Sequence, residues 1–312
     1  MNDLIIDKTH FYFLRDLLPC TAMNFEKMIT KKEKLFSTHL NRDVTYRWAA
    51  PLDYKTSGIA YPVLLMNDGQ DFEKMKLKET LEKSFTSDHT APFIYIGIET
   101  NENRMQEYGL AHAADFKGRG SRAKSYTNFI LKEFLPFIKN KFPLSRKHTD
   151  YVYCGMSLGG LSAFDIVYNN AHYFGKVGVF SGSFWWRNKA YVKNDQEDRS
   201  RMVLDLVKNN VAPAHLKFWL QCGTLDEKAD RNNNGIIDAI DDTQDLIKEL
   251  RKKRYMYPRD IIYVEVPGGK HDLPTWGKIF PEFISWAFGT SNTPQTNLKL
   301  EKKGGVFTDR IN

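Results

Sequence analysis

Tyr151-Val152-Tyr153-Cys154-Gly155-Met156-Ser157-Leu158-Gly159-Gly160 is the stretch whose reading decides the fold. It opens as an apolar run of aromatic and β-branched residues, which suits a buried strand. It closes with the G-x-S-x-G spacing at Gly155 to Gly159, and Leu161 to Tyr168 then reads as a helix. Strand, sharp turn and helix form the context of a nucleophile elbow. The serine must stand on a strained turn to clear the sheet. Residues two before and two after it come too close to carry side chains. The new helix points its free N–H groups toward the same place.

Working outward, buried strands are expected at Tyr61–Met66, Phe93–Ile98, Lys176–Phe180, Leu216–Cys222 and Ile261–Val266. Asp43 to Trp48 alternates polar and apolar residues, as a half-exposed antiparallel strand does. Helices are expected over Phe72–Phe85, from a Ser121 cap toward Lys141 with a kink at Pro136, over Asn194–Asn210, over Asp241–Arg254 and over Pro274–Phe288. Alternating strands and helices imply an α/β fold with a mostly parallel sheet and helices on both faces. No linker splits the chain. Residues 1–290 are expected to form one domain, with 1–54 supplying N-terminal strands and irregular structure, and 291–312 a polar tail. In such sheets the site lies at the carboxyl ends of the strands. Ser157, Asp226 and His271 each fall just past a predicted strand end, as do the turns at Gly69 and Trp185.

Composition narrows the function classes. The 312 residues are 42% hydrophobic and 13% aromatic, which marks a folded globular chain. The net charge of +7 is scattered among acids, and no nucleic-acid motif accompanies it, so no nucleic-acid partner is expected. No apolar run reaches transmembrane length and no membrane partner is expected. The N-terminus lacks the basic and apolar regions of a secretory signal, which points to the cytoplasm, or to export only if a signal has been removed. Cys20, Cys154 and Cys222 fit neither a disulfide framework nor a metal site.

A serine hydroxyl needs a base within hydrogen-bond reach, and the base needs a carboxylate to hold its tautomer. His271 follows a strand-end acid in the order Ser, Asp, His of this hydrolase architecture, and the glycines before it permit a tight turn. Asp226 is the preferred acid, ahead of Glu227 and Asp272; His112 and His215 are weaker bases. The tetrahedral oxyanion requires two donors. The Leu158 N–H is one, and Asp68-Gly69-Gln70 offers the Gln70 N–H as the other.

These pieces resemble the Putative esterase family of α/β-hydrolases, which includes enterochelin (siderophore) esterases, feruloyl esterases, S-formylglutathione hydrolase and mycolyltransferases. The matching residues are Leu64 to Asp71, Arg104 with Glu107-Tyr108, Phe134 to Ile138, Gly155 to Gly160, Gly223 to Asp226 and Gly268 to Asp272. The resemblance implies the α/β-hydrolase fold, Ser157 as nucleophile, Asp226 as acid, His271 as base, and the Gln70 and Leu158 amides as oxyanion hole. It does not choose the substrate, and the chain lacks room for the large N-terminal domain of the siderophore esterases.

Two further features stand apart. Asp230 to Asp241 matches a calcium loop at several positions and resembles the single loops of dockerin-like modules. Asp230, Asn232, Asn234, the Ile236 carbonyl and Asp241 would be the ligands of a structural calcium. Neutral Asn at loop positions 3 and 5, and Asp rather than Glu at position 12, weaken it; the alternative is an Asn-Gly turn capping the next helix. Tyr108, Trp185 and Trp186 on strand-end loops are the candidate substrate pocket, which would suit an aryl or sugar-linked ester. The expected activity is a serine carboxylesterase on a small-molecule ester with no cofactor required for catalysis. The alternatives are an acyltransferase using the same acyl-enzyme and a non-catalytic binding protein of the same fold.

Overall fold

A computed structural model of the chain describes residues 27–192 and 200–290. The predicted tail and residues 1–26 of the N-terminal segment, with Cys20, lie outside them. Among the described residues eight strands form one sheet: β1 (Ile29–Ser37), β2 (Arg42–Ala50), β3 (Val63–Asn67), β4 (Ile94–Ile98), β5 (Tyr151–Met156), β6 (Lys176–Phe180), β7 (Lys217–Leu225) and β8 (Ile261–Lys270). Their order is β1-β2-β4-β3-β5-β6-β7-β8. Pairing is antiparallel for β1 with β2 and for β2 with β4, and parallel from β4 to β8. This is the mostly parallel α/β sheet that the alternation of elements predicts, and the α/β-hydrolase architecture that the family resemblance implies. Successive side chains of a strand enter opposite faces. Tyr151 and Tyr153 therefore join one core layer while Val152 and Cys154 join the other.

The helices are α1 (Leu77–Phe85), α2 (Arg104–Glu107), α3 (Ala123–Asn128), α4 (Leu135–Lys141), α5 (Leu158–Asn169), α6 (Met202–Asn209), α7 (Asp238–Lys252) and α8 (Leu273–Phe288). α1 and α8 cover one face of the sheet, and α3 to α7 the other.

Several predicted boundaries move for physical reasons. The helix expected from Phe72 starts at Leu77, because Lys76 adopts a left-handed conformation (φ 55°). Ser121 does not cap the next helix; its hydroxyl donates to Gln106 Oε1 at 2.8 Å. That helix is interrupted by a π-helical turn over Phe129–Phe134. Pro136 has no N–H to donate, and its ring crowds the carbonyl four residues earlier, so a wider turn just before it relieves both faults. The helix expected from Asn194 is resolved as α6 from Met202, its start falling partly outside the described residues. The helix expected from Asp241 begins at Asp238. β7 and β8 run to Leu225 and Lys270, further than their apolar cores suggest.

The long polar stretch after β4 is ordered by α2. Glu107 is fully buried and accepts from Arg42 Nε at 3.0 Å and Nη2 at 2.6 Å. Arg122 lies 3.7 Å from the same carboxylate. Removing one partner of a buried pair leaves a charge stranded, at a cost of about 3 kcal/mol or more. Glu107→Ala is therefore expected to lower the thermal unfolding midpoint by several degrees, measured against Glu107→Gln, which keeps part of the hydrogen bonding.

Candidate active site

Ser157 stands between β5 and α5 with φ 53° and ψ −122°. L-residues rarely occupy this region, and surrounding packing must hold it there. The Ser157 N–H donates to the Phe180 carbonyl at 2.9 Å, tying the turn to β6. A Cβ on Gly155 would collide with the Gly159 carbonyl, and one on Gly159 would lie 2.6 Å from Asp68 Oδ2. Gly160, whose role the spacing did not reveal, lies under Val179 with room for no Cβ. The glycines thus let the first turn of α5 approach both β5 and the turn after β3.

The register of β7 and β8 brings Asp226 and His271 to neighbouring strand ends. Leu225 pairs with Lys270, so Asp226 and His271 leave their strands side by side. A register shift between Gly223 and Leu225 makes this possible by bulging out the residues around Gly268, whose φ is +70°. Both Asp226 carboxylate oxygens are buried, with the Ser181 hydroxyl and the Gly223 amide near them but no donor in full hydrogen-bond geometry. Burial raises the Asp226 pKa, opposed by the nearby Ser181 hydroxyl, the Gly223 amide and His271. The His271 pKa is lowered, first by desolvation and then by the Arg104 charge, against the opposing carboxylates of Asp226 and Asp272. One side of the His271 ring packs edge-on against Trp276, with centroids 5.0 Å apart. Trp276 Nε1 in turn donates to Ser181 Oγ at 2.9 Å. Ser157 Oγ lies 3.4 Å from Ser183 Oγ. Hydrogen bonds linking Ser157, His271 and Asp226 are not formed among the described residues, as is common before substrate closes a site.

Gln70 lies in a 3-10 turn, Gly69–Asp71, directly after β3. Among the described residues, neither its backbone N–H nor that of Leu158 donates a hydrogen bond. Asn67 braces the two donor segments: its Nδ2 donates to the Gly159 carbonyl at 2.7 Å, and its Oδ1 accepts from Tyr126 and Tyr153, each at 2.7 Å.

The other candidates are occupied elsewhere. Asp272 caps α8, accepting from the Thr275 N–H at 2.9 Å. His215 precedes β7, at the amino end of the sheet, where its Nε2 meets the carbonyls of Ala171 and Phe174. Glu227 sits near the start of α7, its pKa raised by burial and by Asp238. His112 is partly desolvated, which lowers its pKa, with Asp205 opposing. Tyr108 and Trp186 correct the pocket expectation. Both are fully buried. The Tyr108 hydroxyl accepts from the Asp68 N–H at 3.2 Å, and Trp186 packs against Gly109 and Gly120. Tyr108 thus braces the turn after β3 from behind. Trp185 is half-exposed, with the Arg119 guanidinium 4.9 Å above its ring.

The Asp230–Asp241 loop closes on itself. Asp230 accepts from the Asn234 and Gly235 N–H groups at 3.1 and 2.9 Å. Asn232 Nδ2 and Asn234 Nδ2 both donate to Asp241 Oδ2 at 2.8 Å. The Asn232 and Asn234 side-chain oxygens accept from N–H groups of the loop. Arg231 pairs with Asp238 and Asp242. Among the described residues, no group of three or more His, Cys, Asp or Glu is placed to hold a metal ion. No helix among them is long and apolar enough to cross a membrane.

Comparison with known proteins gives a consistent picture. The family profile described as "Putative esterase" matches residues 37–286. YbbA of Bacillus subtilis, an uncharacterized protein, is 24% identical over 247 residues, covering 78% of this chain and 92% of its own. The iron(III) enterobactin esterase of Escherichia coli is 26% identical over 220 residues, covering 69% of this chain and 46% of its own, so the chain spans under half of that relative. Among solved structures, a ferulic acid esterase superposes with a TM-score of 0.64 at 16% identity, over 85% of this chain and 99% of its own. The enterobactin esterase of Shigella flexneri gives 0.64 at 20% identity, over 83% and 58%.

Proposed function

Because the chain belongs to the Putative esterase family and is a carboxylic ester hydrolase, we propose that it acts through an acyl-enzyme on Ser157, with His271 as base and Asp226 as its orienting carboxylate. The observation that carries this reading is the left-handed Ser157 at the start of α5 with the unengaged Leu158 N–H beside it. Ser157 Oγ attacks the ester carbonyl as His271 takes its proton. The oxyanion accepts from the Leu158 and Gln70 N–H groups. His271 then protonates the departing alcohol, and activates the water that releases the acid. Asp226, its oxygens buried and with acceptor capacity to spare, is the acceptor that the imidazolium requires. The half-exposed Trp185 under Arg119 supports an aryl or sugar-linked ester as substrate. If an acceptor alcohol replaces water, the same intermediate makes the enzyme an acyltransferase, which product analysis with added alcohols resolves.

Ser157→Ala is expected to lower hydrolysis of a short-chain p-nitrophenyl ester by about 10³-fold or more and to abolish fluorophosphonate labelling. Equal rates in both proteins would remove Ser157 from the mechanism. The pH dependence follows from the lowered His271 pKa. The neutral imidazole is the active base, so activity should persist below the ordinary histidine midpoint of about 6.5 before protonation removes it. A kcat/KM profile checks this; an acid limb centred above that value contradicts it.

We further propose a weak structural calcium site at Asp230, Asn232, Asn234, the Ile236 carbonyl and Asp241. Both Asn amides would turn their oxygens inward, replacing the NH2 groups now on Asp241. Such an ion would brace the segment that follows Asp226. Millimolar calcium should then raise the unfolding midpoint by a few degrees, reversed by chelator. An unchanged midpoint leaves the loop closed by its own side chains.

A further inference from the structure

Asp68 stands at the N-cap of the Gly69–Asp71 turn in a left-handed conformation (φ 60°, ψ 41°). An N-cap aspartate with extended backbone accepts from the N–H two or three residues on, and a short carboxylate side chain beside a turn can still reach a free N–H in it; here the Asp71 N–H is taken by the Asp68 carbonyl. Two residues on is Gln70, the second oxyanion donor of the mechanism above. A capping carboxylate would fill the place of the developing oxyanion and put a negative charge there. Yet Asp68 makes no capping bond. Arg104 of α2 grips its carboxylate at two points, Nε to Oδ1 at 2.7 Å and Nη2 to Oδ2 at 2.8 Å. The Thr100 hydroxyl and Gln70 Nε2 each donate to Oδ1 at 3.3 Å. Arg104 also stacks over Tyr108, whose hydroxyl holds the Asp68 N–H. The buried Arg42–Glu107 pair anchors the α2 segment that carries both residues.

We propose that Arg104 is a positioning residue: it draws the Asp68 carboxylate away from the Gln70 N–H and so keeps that donor free for the oxyanion. This rests on the Ser157 acyl-enzyme reading. Arg104 has a second consequence. The charged groups facing His271 are Asp226 beyond β7, Arg104 from α2, and Asp272 at the start of α8. Of these only Arg104 disfavours the imidazolium, so it helps keep the base neutral. Bidentate grip and charge are separable: Lys keeps the charge but not the fork.

The test compares Arg104→Gln, Arg104→Lys, Asp68→Gly and the Asp68→Gly/Arg104→Gln double variant, each checked for fluorophosphonate labelling and thermal unfolding. Losing an oxyanion donor costs about 10²–10³-fold in kcat, and a displaced carboxylate should cost about 10- to 100-fold. Arg104→Gln should therefore lower kcat by that factor with little change in KM, and weaken a trifluoromethyl ketone inhibitor in parallel. The double variant, which has no carboxylate to cap the turn and leaves no buried charge unpaired, should recover a large part of the loss. The acid limb of kcat/KM should move to higher pH in Arg104→Gln but not in Arg104→Lys. Wild-type kcat in a folded, labelled Arg104→Gln overturns the proposal, and so does a double variant no better than Arg104→Gln alone. If Arg104→Gln does not fold, the ranking of Asp68→Gly above Arg104→Lys in kcat supports the proposal and the reverse ranking overturns it. A wild type that is neither hydrolytic nor labelled fails the Ser157 mechanism itself, and is thereby distinguished from a failure at Arg104.

Discussion

The close approach of the first turn of α5 to β5 and to the turn after β3 is the constraint on which the rest of the site depends. At Gly155 backbone meets backbone, and at Gly159 the Asp68 carboxylate and the Asn67 side chain fill the space a Cβ would need. That approach forces Ser157 into its left-handed conformation and turns its hydroxyl out of the sheet. It also brings the Leu158 and Gln70 amides to the same edge, because Asn67 ties the Gly159 carbonyl to the end of β3. A strained backbone persists only where its surroundings over-determine it. Here buried tyrosines on two elements, Tyr126 and Tyr153, complete the Asn67 bonding and leave the turn little freedom.

Around that point the sheet supplies polar groups from strands distant in sequence. β7 and β8 bring Asp226 and His271 to neighbouring strand ends through one register shift, while α2 contributes the Arg104 and Tyr108 contacts to Asp68. Both Asp226 carboxylate oxygens are shielded from solvent. His271 is less basic than a solvated histidine. Burial moves the Asp226 pKa up and the His271 pKa down, because it disfavours the charged form of each.

The resemblance to esterases rests on a family match over most of the chain and on a shared fold with a ferulic acid esterase and enterobactin esterases. Those neighbours act on different esters while keeping the same sheet. A shared sheet therefore does not by itself name an ester.

The sequence by itself determined the elbow, the parallel sheet, and the positions of Ser157, Asp226, His271 and Gln70 past strand ends. Each of those is a local signal: an apolar run, a glycine spacing, a turn. Tertiary structure alone decided the rest. Ser121 gave up its cap to Gln106, Tyr108 and Trp186 went into the core rather than a pocket wall, and the Asn side chains of the 230–241 loop closed on Asp241. It alone placed Ser183 beside Ser157, Trp276 on Ser181, and Arg104 on Asp68. The reason is the same in each case. Whether an aromatic is wall or core, or a carboxylate caps its own turn or pairs with a distant arginine, depends on partners that only the closed sheet brings within reach, and spacing along a chain carries no record of them.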